Sequence, residues 1–422
     1  MADHALTAST ALRALPRGIW PLGFVSLFMD LSSEMIHALL PVYLVAVLGA
    51  STLTVGLIEG VAEATAMITK IFSGALSDWL GRRKMLAAIG YGLAAFTKPI
   101  FPLATTIEWI LTARFLDRVG KGVRGAPRDA LVADLAPAAL MGASFGLRQS
   151  LDTIGAFLGP LTAIGLMHLT GDNYAAVFWI AVVPAFAAVG LMVFGVKEPE
   201  RAIGAVAKFK PHFADVWQLP RPFWAVVAVA VVLTLARFSE AFLILRAQNV
   251  GLAVGLVPIV LVVMNFAYAL AAYPAGVLSD RFGHQAVLIV GVATLVVADL
   301  LLALASSMPI LLLGVVFWDL HMGLTQGLFA ALVADTAPAD LRGTAFGVFN
   351  LASGGAMLAA SVVAGALWDV YGPIATFLAG AAFTTVALVG LLGLRKQFRK
   401  DFGQHSLKIE LSKNGDGDGR GR

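Results

Sequence analysis

Seven carboxylates and seven cations stand inside stretches that are otherwise apolar: Asp30, Glu34, Glu59, Glu63, Asp117, Asp129 and Asp152 against Lys70, Arg114, Arg118, Lys121, Arg124, Arg128 and Arg148. A charge near the middle of a bilayer costs roughly 2.5–3.5 kcal/mol even on insertion scales. Each of these groups therefore pairs, sheds its charge or faces water. Their equal numbers point first to a network of ion pairs. Two further chemistries suit the set. A carboxylate that moves between an apolar setting and an Arg-lined one takes up and releases a proton. Asp30, Glu34 and Glu63 are placed for that, with Glu59 and His37 beside them. Guanidinium forks match carboxylates and phosphates, so the run of cations from Arg114 to Arg128 points to a ligand with negative charge. Metal chemistry finds no support: the seven His are scattered with no His-x-x-x-His pair inside a span, and there is no Cys. No catalytic set is legible, and we expect no enzyme, no metal and no cofactor.

These side chains fall on helical stripes. At 100° per residue, Asp30, Glu34 and His37 lie within about 60° of one another, and Glu59, Glu63 and Lys70 within about 40°. Arg114, Asp117, Arg118, Lys121, Arg124 and Arg128 share a stripe about 120° wide, and Arg148 and Asp152 lie one turn apart. Four helices thus each turn a polar stripe away from lipid, the acids of the first two facing the bases of the fourth and fifth. The second half of the chain is plainer. Arg237 and Glu240 share a face of the seventh helix, Asn265 sits in the eighth, and Asp319, His321 and Gln326 occupy the tenth. They are placed to complete a substrate site from the opposite wall.

The helices carrying these stripes read as membrane spans. Of 422 residues, 59% are hydrophobic and 13% charged, where a soluble protein holds roughly 45–50% and 25%. A span needs about 20 apolar residues, and twelve stretches qualify: 19–46, 53–76, 85–104, 108–134, 141–168, 174–196, 222–247, 253–278, 285–305, 308–334, 343–368 and 373–394. The first is too long for a signal-peptide core and is read as retained. Arg82, Arg83, Lys84, Lys197, Arg201, Lys208, Lys210, Arg221, Arg281, Arg342, Arg395 and Lys396 fall on one side. The opposite turns (Gly49–Thr52, Thr105–Thr106, Gly171–Asp172, Gly251–Leu252, Ser306–Ser307 and Tyr371–Gly372) hold no Lys or Arg. The positive-inside rule then places both termini in the cytoplasm, in a bacterial-type inner membrane. The expected organisation is a cytoplasmic N-terminal segment 1–18, a six-helix bundle 19–196, a cytoplasmic linker loop 197–221, a second six-helix bundle 222–394 and a disordered cytoplasmic tail 395–422.

The halves repeat. Gly74-Ala-Leu76-Ser-Asp78-Trp-Leu-Gly81 recurs as Gly276-Val-Leu278-Ser-Asp280-Arg-Phe-Gly283, and Val132-Ala-Asp134-Leu-Ala-Pro137 as Val333-Ala-Asp335-Thr-Ala-Pro338. Gly142, Phe145 and Gly146 match Gly343, Phe346 and Gly347 in the same register. The first segment, with Arg82, Arg83 and Lys84 behind it, resembles the signature loop between helices 2 and 3 of the major facilitator superfamily. The resemblance covers about residues 19–394. It implies an all-α integral membrane fold, with twelve helices in two six-helix bundles that rock about a central site. It also implies that Gly74, Asp78, Gly81, Arg82, Arg83 and, in the weaker copy, Asp280 form a gating motif. Gly155-Ala-Phe-Leu-Gly159-Pro160 partly resembles the helix-5 motif of the drug:proton antiporter branch, with Ala163-Ile164 where a closing glycine pair is usual. The extra cations around Arg114 depart from the family pattern and favour an anionic solute over a cationic drug. The expected function is secondary active transport by alternating access, as proton-coupled efflux of a small organic solute; the alternative is a proton-coupled uptake symporter for a small anionic metabolite. The expected partners are a small-molecule substrate, protons and the lipid bilayer, with no nucleic acid and with one chain holding a full transport unit.

Overall fold

Apolar runs separated by Gly, Asn and Ser turns fold here as long antiparallel rods. The computed structural model describes residues 15–137, 140–198, 213–338 and 341–393. In chain order the rods are α1 (Ile19–His37, continued by Leu40–Ala46), α2 (Thr52–Leu80), α3 (Arg83–Thr97, continued by Ile100–Leu103), α4 (Ile107–Leu135), α5 (Met141–Thr170) and α6 (Tyr174–Gly190, ending in a π turn at Leu191–Gly195). Then follow α7 (Arg221–Ala236, continued by Ala241–Asn249), α8 (Ile259–Phe282), α9 (His284–Leu304), α10 (Met308–Thr336), α11 (Arg342–Tyr371) and α12 (Pro373–Gly393). No strand occurs among the described residues. Ten of the twelve rods are long and apolar enough to span a membrane on those grounds alone. The other two are α2 and α4, and α4 holds the densest charge. Most of segments 1–18 and 197–221, and all of the tail 395–422, lie outside the described residues.

Local chemistry sets the ends and the breaks. Gly81 and Gly171 close α2 and α5 with φ of 64° and 65°, a conformation that suits a residue without Cβ. The Ser51 and Asn173 side chains accept the backbone N–H of Thr54 and Ala176 and so cap α2 and α6. Pro99 interrupts α3, since proline cannot supply the helical N–H. The α7 break spans Arg237 to Glu240, where Arg237 leaves helical geometry and the Ser239 hydroxyl takes the Ala241 N–H.

The two bundles meet mainly where α2 packs on α11 and α5 on α8. Small residues allow the α2–α11 approach, and the gap widens along it. A Cβ added to Gly56 would lie 2.1 Å from the Ser361 carbonyl oxygen, and one on Gly60 3.0 Å from Leu358. Further along, the corresponding distances are 3.5 Å from Gly354 to Met67 and 3.8 Å from Gly347 to Ile71. The seam is a wedge, closed at the end bearing Gly49–Thr52 and looser toward the Gly81–Arg82 turn. The apolar core agrees. One cluster, including Leu44, Val55, Phe178, Phe242 and Phe377, runs through both bundles. A second, around Met29, Tyr91, Leu131 and Met192, belongs to the first bundle alone.

Candidate functional site

The polar stripes of α1, α2, α4 and α5 converge inside the first bundle. Arg114 of α4 forms a fork on Glu59 of α2, with Nε to Oε1 at 3.1 Å and a terminal nitrogen to Oε2 at 2.7 Å. One turn on, Arg118 pairs with Glu63 at 3.3 Å. The His37 ring of α1 lies between Glu34, 3.3 Å from Nδ1, and Glu59, 3.7 Å from Nε2. Arg128 pairs with Asp129 at 3.1 Å and approaches Asp152 at 3.7 Å. Asp152 also receives Arg148 at 3.5 Å and the Gln149 amide at 3.3 Å. Asp30 lies against Asp152, within Coulombic range of Arg124 and Lys121. Fully desolvated pairs hold only when both charges are present, and this lattice meets that condition for most members.

Three members behave otherwise. Lys70 is exposed and makes no ion pair among the described residues, so it stands outside the network that its stripe suggested. Its stem instead lies along Gly125, on the α2–α4 contact. Arg124 is buried against the Tyr91 ring, 4.9 Å from its centroid, in place of a carboxylate. Lys121 is exposed and likewise has no ion pair among the described residues, although Asp30, Glu34, Glu63 and Asp152 all lie within its Coulombic range.

The sequence reading missed one cation. Lys98, at the Pro99 break of α3, is 2% exposed and donates to Asp117 at 2.9 Å and to Ser33 at 3.0 Å. With it in place of Lys70, this wall holds seven cations against seven carboxylates. The sole signal available was a lone Lys in an apolar helix, next to a proline.

The second bundle supplies the opposite wall. Arg237 and Glu240 do not share a helical face, because both lie in the α7 break. Glu240 looks across to the first bundle, within Coulombic range of His37, Glu34, Glu63 and Lys121. Arg237 lies near Glu240 and near Asp319 of α10. Asn265 of α8 donates to the Ala156 carbonyl of α5 at 3.1 Å and so joins the bundles. His321 is fully buried, with Nδ1 bonded to the Trp318 carbonyl. The side chains of Asp78, Asp280 and Gln326 lie outside the described residues. Arg82 is exposed, and Arg83 pairs within its own bundle, to Asp134 at 2.7 Å. In α5, Gly155 and Gly159 admit α1: added Cβ atoms would lie 2.4 Å from the Leu27 carbonyl oxygen and 2.7 Å from Glu34. Pro160 follows, buried in the same helix. No group of three or more His, Asp or Glu able to hold a metal occurs among the described residues.

Comparison with known proteins gives this arrangement a context. The family described as Major Facilitator Superfamily matches residues 22–264 and 226–408. An uncharacterized MFS-type transporter of Methanocaldococcus jannaschii is 32% identical over 386 residues, covering 90% of this chain and 95% of that protein. Among solved structures, the nucleoside transporter NupG superposes with a TM-score of 0.72 at 15% identity, over 90% of this chain and 99% of that one. The human organic anion transporter MFSD10 does so with a TM-score of 0.64 at 18% identity, over 89% and 99%. At such identities these structures establish the shared fold.

Proposed function

The chain belongs to the Major Facilitator Superfamily and is a multi-pass secondary transporter, and from that premise we propose that it exports a small organic anion in exchange for protons. Lys121 carries the reading: a flexible cation, exposed in the middle of a charged stripe, with five carboxylates within Coulombic range and none in contact. Closing the bundles over an unpaired charge would be costly, whereas an incoming carboxylate or phosphate would pair it. The protons would ride on Asp30, Glu34 or Glu63, of which Glu63 pairs with Arg118 on a neighbouring helix and Glu34 with His37 on its own. Basic residues on the Gly81–Arg82 side support a cytoplasmic position for that side. The wedge then describes the inward-facing state of an inner-membrane protein with cytoplasmic termini, and Asp78, Arg82 and Arg83 would latch the cytoplasmic face in the other state. Export in preference to uptake rests on the partial antiporter motif at Gly155, Gly159 and Pro160.

The test is counterflow in proteoliposomes, with mono- and dicarboxylates, organophosphates, amphiphilic cations and sugars. The expected result is uptake of an anion that falls at least about tenfold in Lys121→Gln, the loss of about 1.4 kcal/mol of binding. Equal uptake by the variant, or uptake of cations alone, would overturn the reading. The sign of the accompanying proton movement separates exchange from symport.

A further inference from the structure

The two walls of the site hold unpaired groups of opposite charge. On the first bundle Lys121 has no ion pair among the described residues. On the second, Arg237 stands between two acids, Glu240 and Asp319. Asp319 is 6% exposed and makes no hydrogen bond or ion pair among the described residues. One guanidinium cannot neutralise two carboxylates. Glu240 is also without an ion pair there, although it faces Lys121, His37, Glu34 and Glu63 across the gap between the bundles. Lys121 and Glu240 are thus opposite charges on opposite walls that do not touch. A simple anion would complete Lys121 and leave the second wall with its surplus negative charge. A simple cation would do the reverse.

We propose that the solute is a zwitterion, its carboxylate or phosphate held at Lys121 and its ammonium held between Glu240 and Asp319. This rests on the anion reading above and narrows it. Such a ligand completes both walls at once. It also gives the bundles a reason to close: each end of the molecule belongs to a different bundle, so the full set of charge contacts forms only when the gap narrows around it. Binding energy is then tied to the closed state, as a ligand-driven shift requires. The α7 break contributes by placing Glu240 at the start of the second half-helix, where the chain is not committed to a lipid-facing stripe.

The experiment is proteoliposome uptake by the full chain with labelled ω-amino acids from glycine to 6-aminohexanoate and with 2-aminoethyl phosphate. Each is matched to its N-acetyl form, and the amino acids also to their amides. One or more zwitterions should be carried, with acetylation or amidation reducing uptake by at least about tenfold. In Glu240→Gln and Asp319→Asn the preference for the amine over its N-acetyl form should shrink severalfold, while Lys121→Gln should reduce the preference for acid over amide. N-acetyl compounds carried as well as their parents would overturn the zwitterion and leave the anion reading intact. Amides carried in place of acids would overturn both. No uptake of any compound in the series, by protein that passes the anion counterflow test, would overturn the zwitterion alone.

Discussion

Asp369, near the end of α11, caps a helix of the other bundle. The first backbone N–H groups of a helix have no partner within it. At the start of α2, Thr52 and Leu53 donate theirs to the two Asp369 carboxylate oxygens at 3.0 and 2.9 Å, and the Thr52 hydroxyl donates there too. Thr52 also reaches the Gly365 carbonyl at 3.2 Å. An N-terminal cap contributes about 0.5–2 kcal/mol. Because donor and acceptor lie on different bundles, that sum favours only the state in which these two ends touch. In Asp369→Ala the balance should move toward opening of this end by about 2- to 30-fold. The chain has no Cys, so a single Val55→Cys, at a fully buried position next to Gly56, serves as the reporter. Labelling by a membrane-impermeant maleimide from this side should speed up by that factor in Asp369→Ala, and by less in Asp369→Asn, which keeps an acceptor. Labelling at the parental rate, with the thiol reactive once the protein is unfolded, would refute the idea that this cap holds the bundles together.

Other outcomes follow from the same contacts. Glu59→Gln leaves Arg114 buried without its carboxylate and should cost about 3–5 kcal/mol, read as a lower melting temperature in detergent; adding Arg114→Gln should restore part of it. Asp117 has Lys98, Arg118, Arg124 and Arg114 around it, so Asp117→Asn should destabilise far more than Lys98→Met, which leaves three cations on the acid. Thermal unfolding of the two variants ranks them, and the reverse order would contradict the network. Gly56→Ala puts a methyl 2.1 Å from the Ser361 carbonyl oxygen. It should abolish transport in flux assays while each bundle still folds, as judged by monodisperse elution and helical content.

The spans and the stripes were open to a reading of residue types alone, because lipid demands long apolar runs and a charge inside one must find a partner on a neighbouring helix. The pairings Glu59 with Arg114 and Glu63 with Arg118 realise the expected facing of α2 and α4. What stayed hidden depends on three-dimensional proximity without periodicity. Lys98 has no stripe around it, and only the α3 break turns it onto Asp117. Asp369 sits beside a turn and reads as a solvated loop acid until α11 is set against α2. The spacing of Arg237 and Glu240 is helical, yet the chain unwinds between them. Lys70 shares its angle with Glu59 and Glu63 but lies two to three turns further along the helix, beyond the reach of the cluster. Small residues such as Gly56, Gly60 and Gly365 announce close packing without naming the partner.

The most direct test of the account is proton flux in proteoliposomes carrying a trapped pH dye, driven by an anion gradient, with the triple variant Asp30→Asn, Glu34→Gln and Glu63→Gln beside the parent. The account predicts anion-dependent proton movement in the parent, opposite in direction to the anion, and its loss in a folded triple variant. Anion-driven proton flux that persists in the variant would contradict the assignment of the proton to this stripe, and anion movement with no proton flux in the parent would contradict coupling itself.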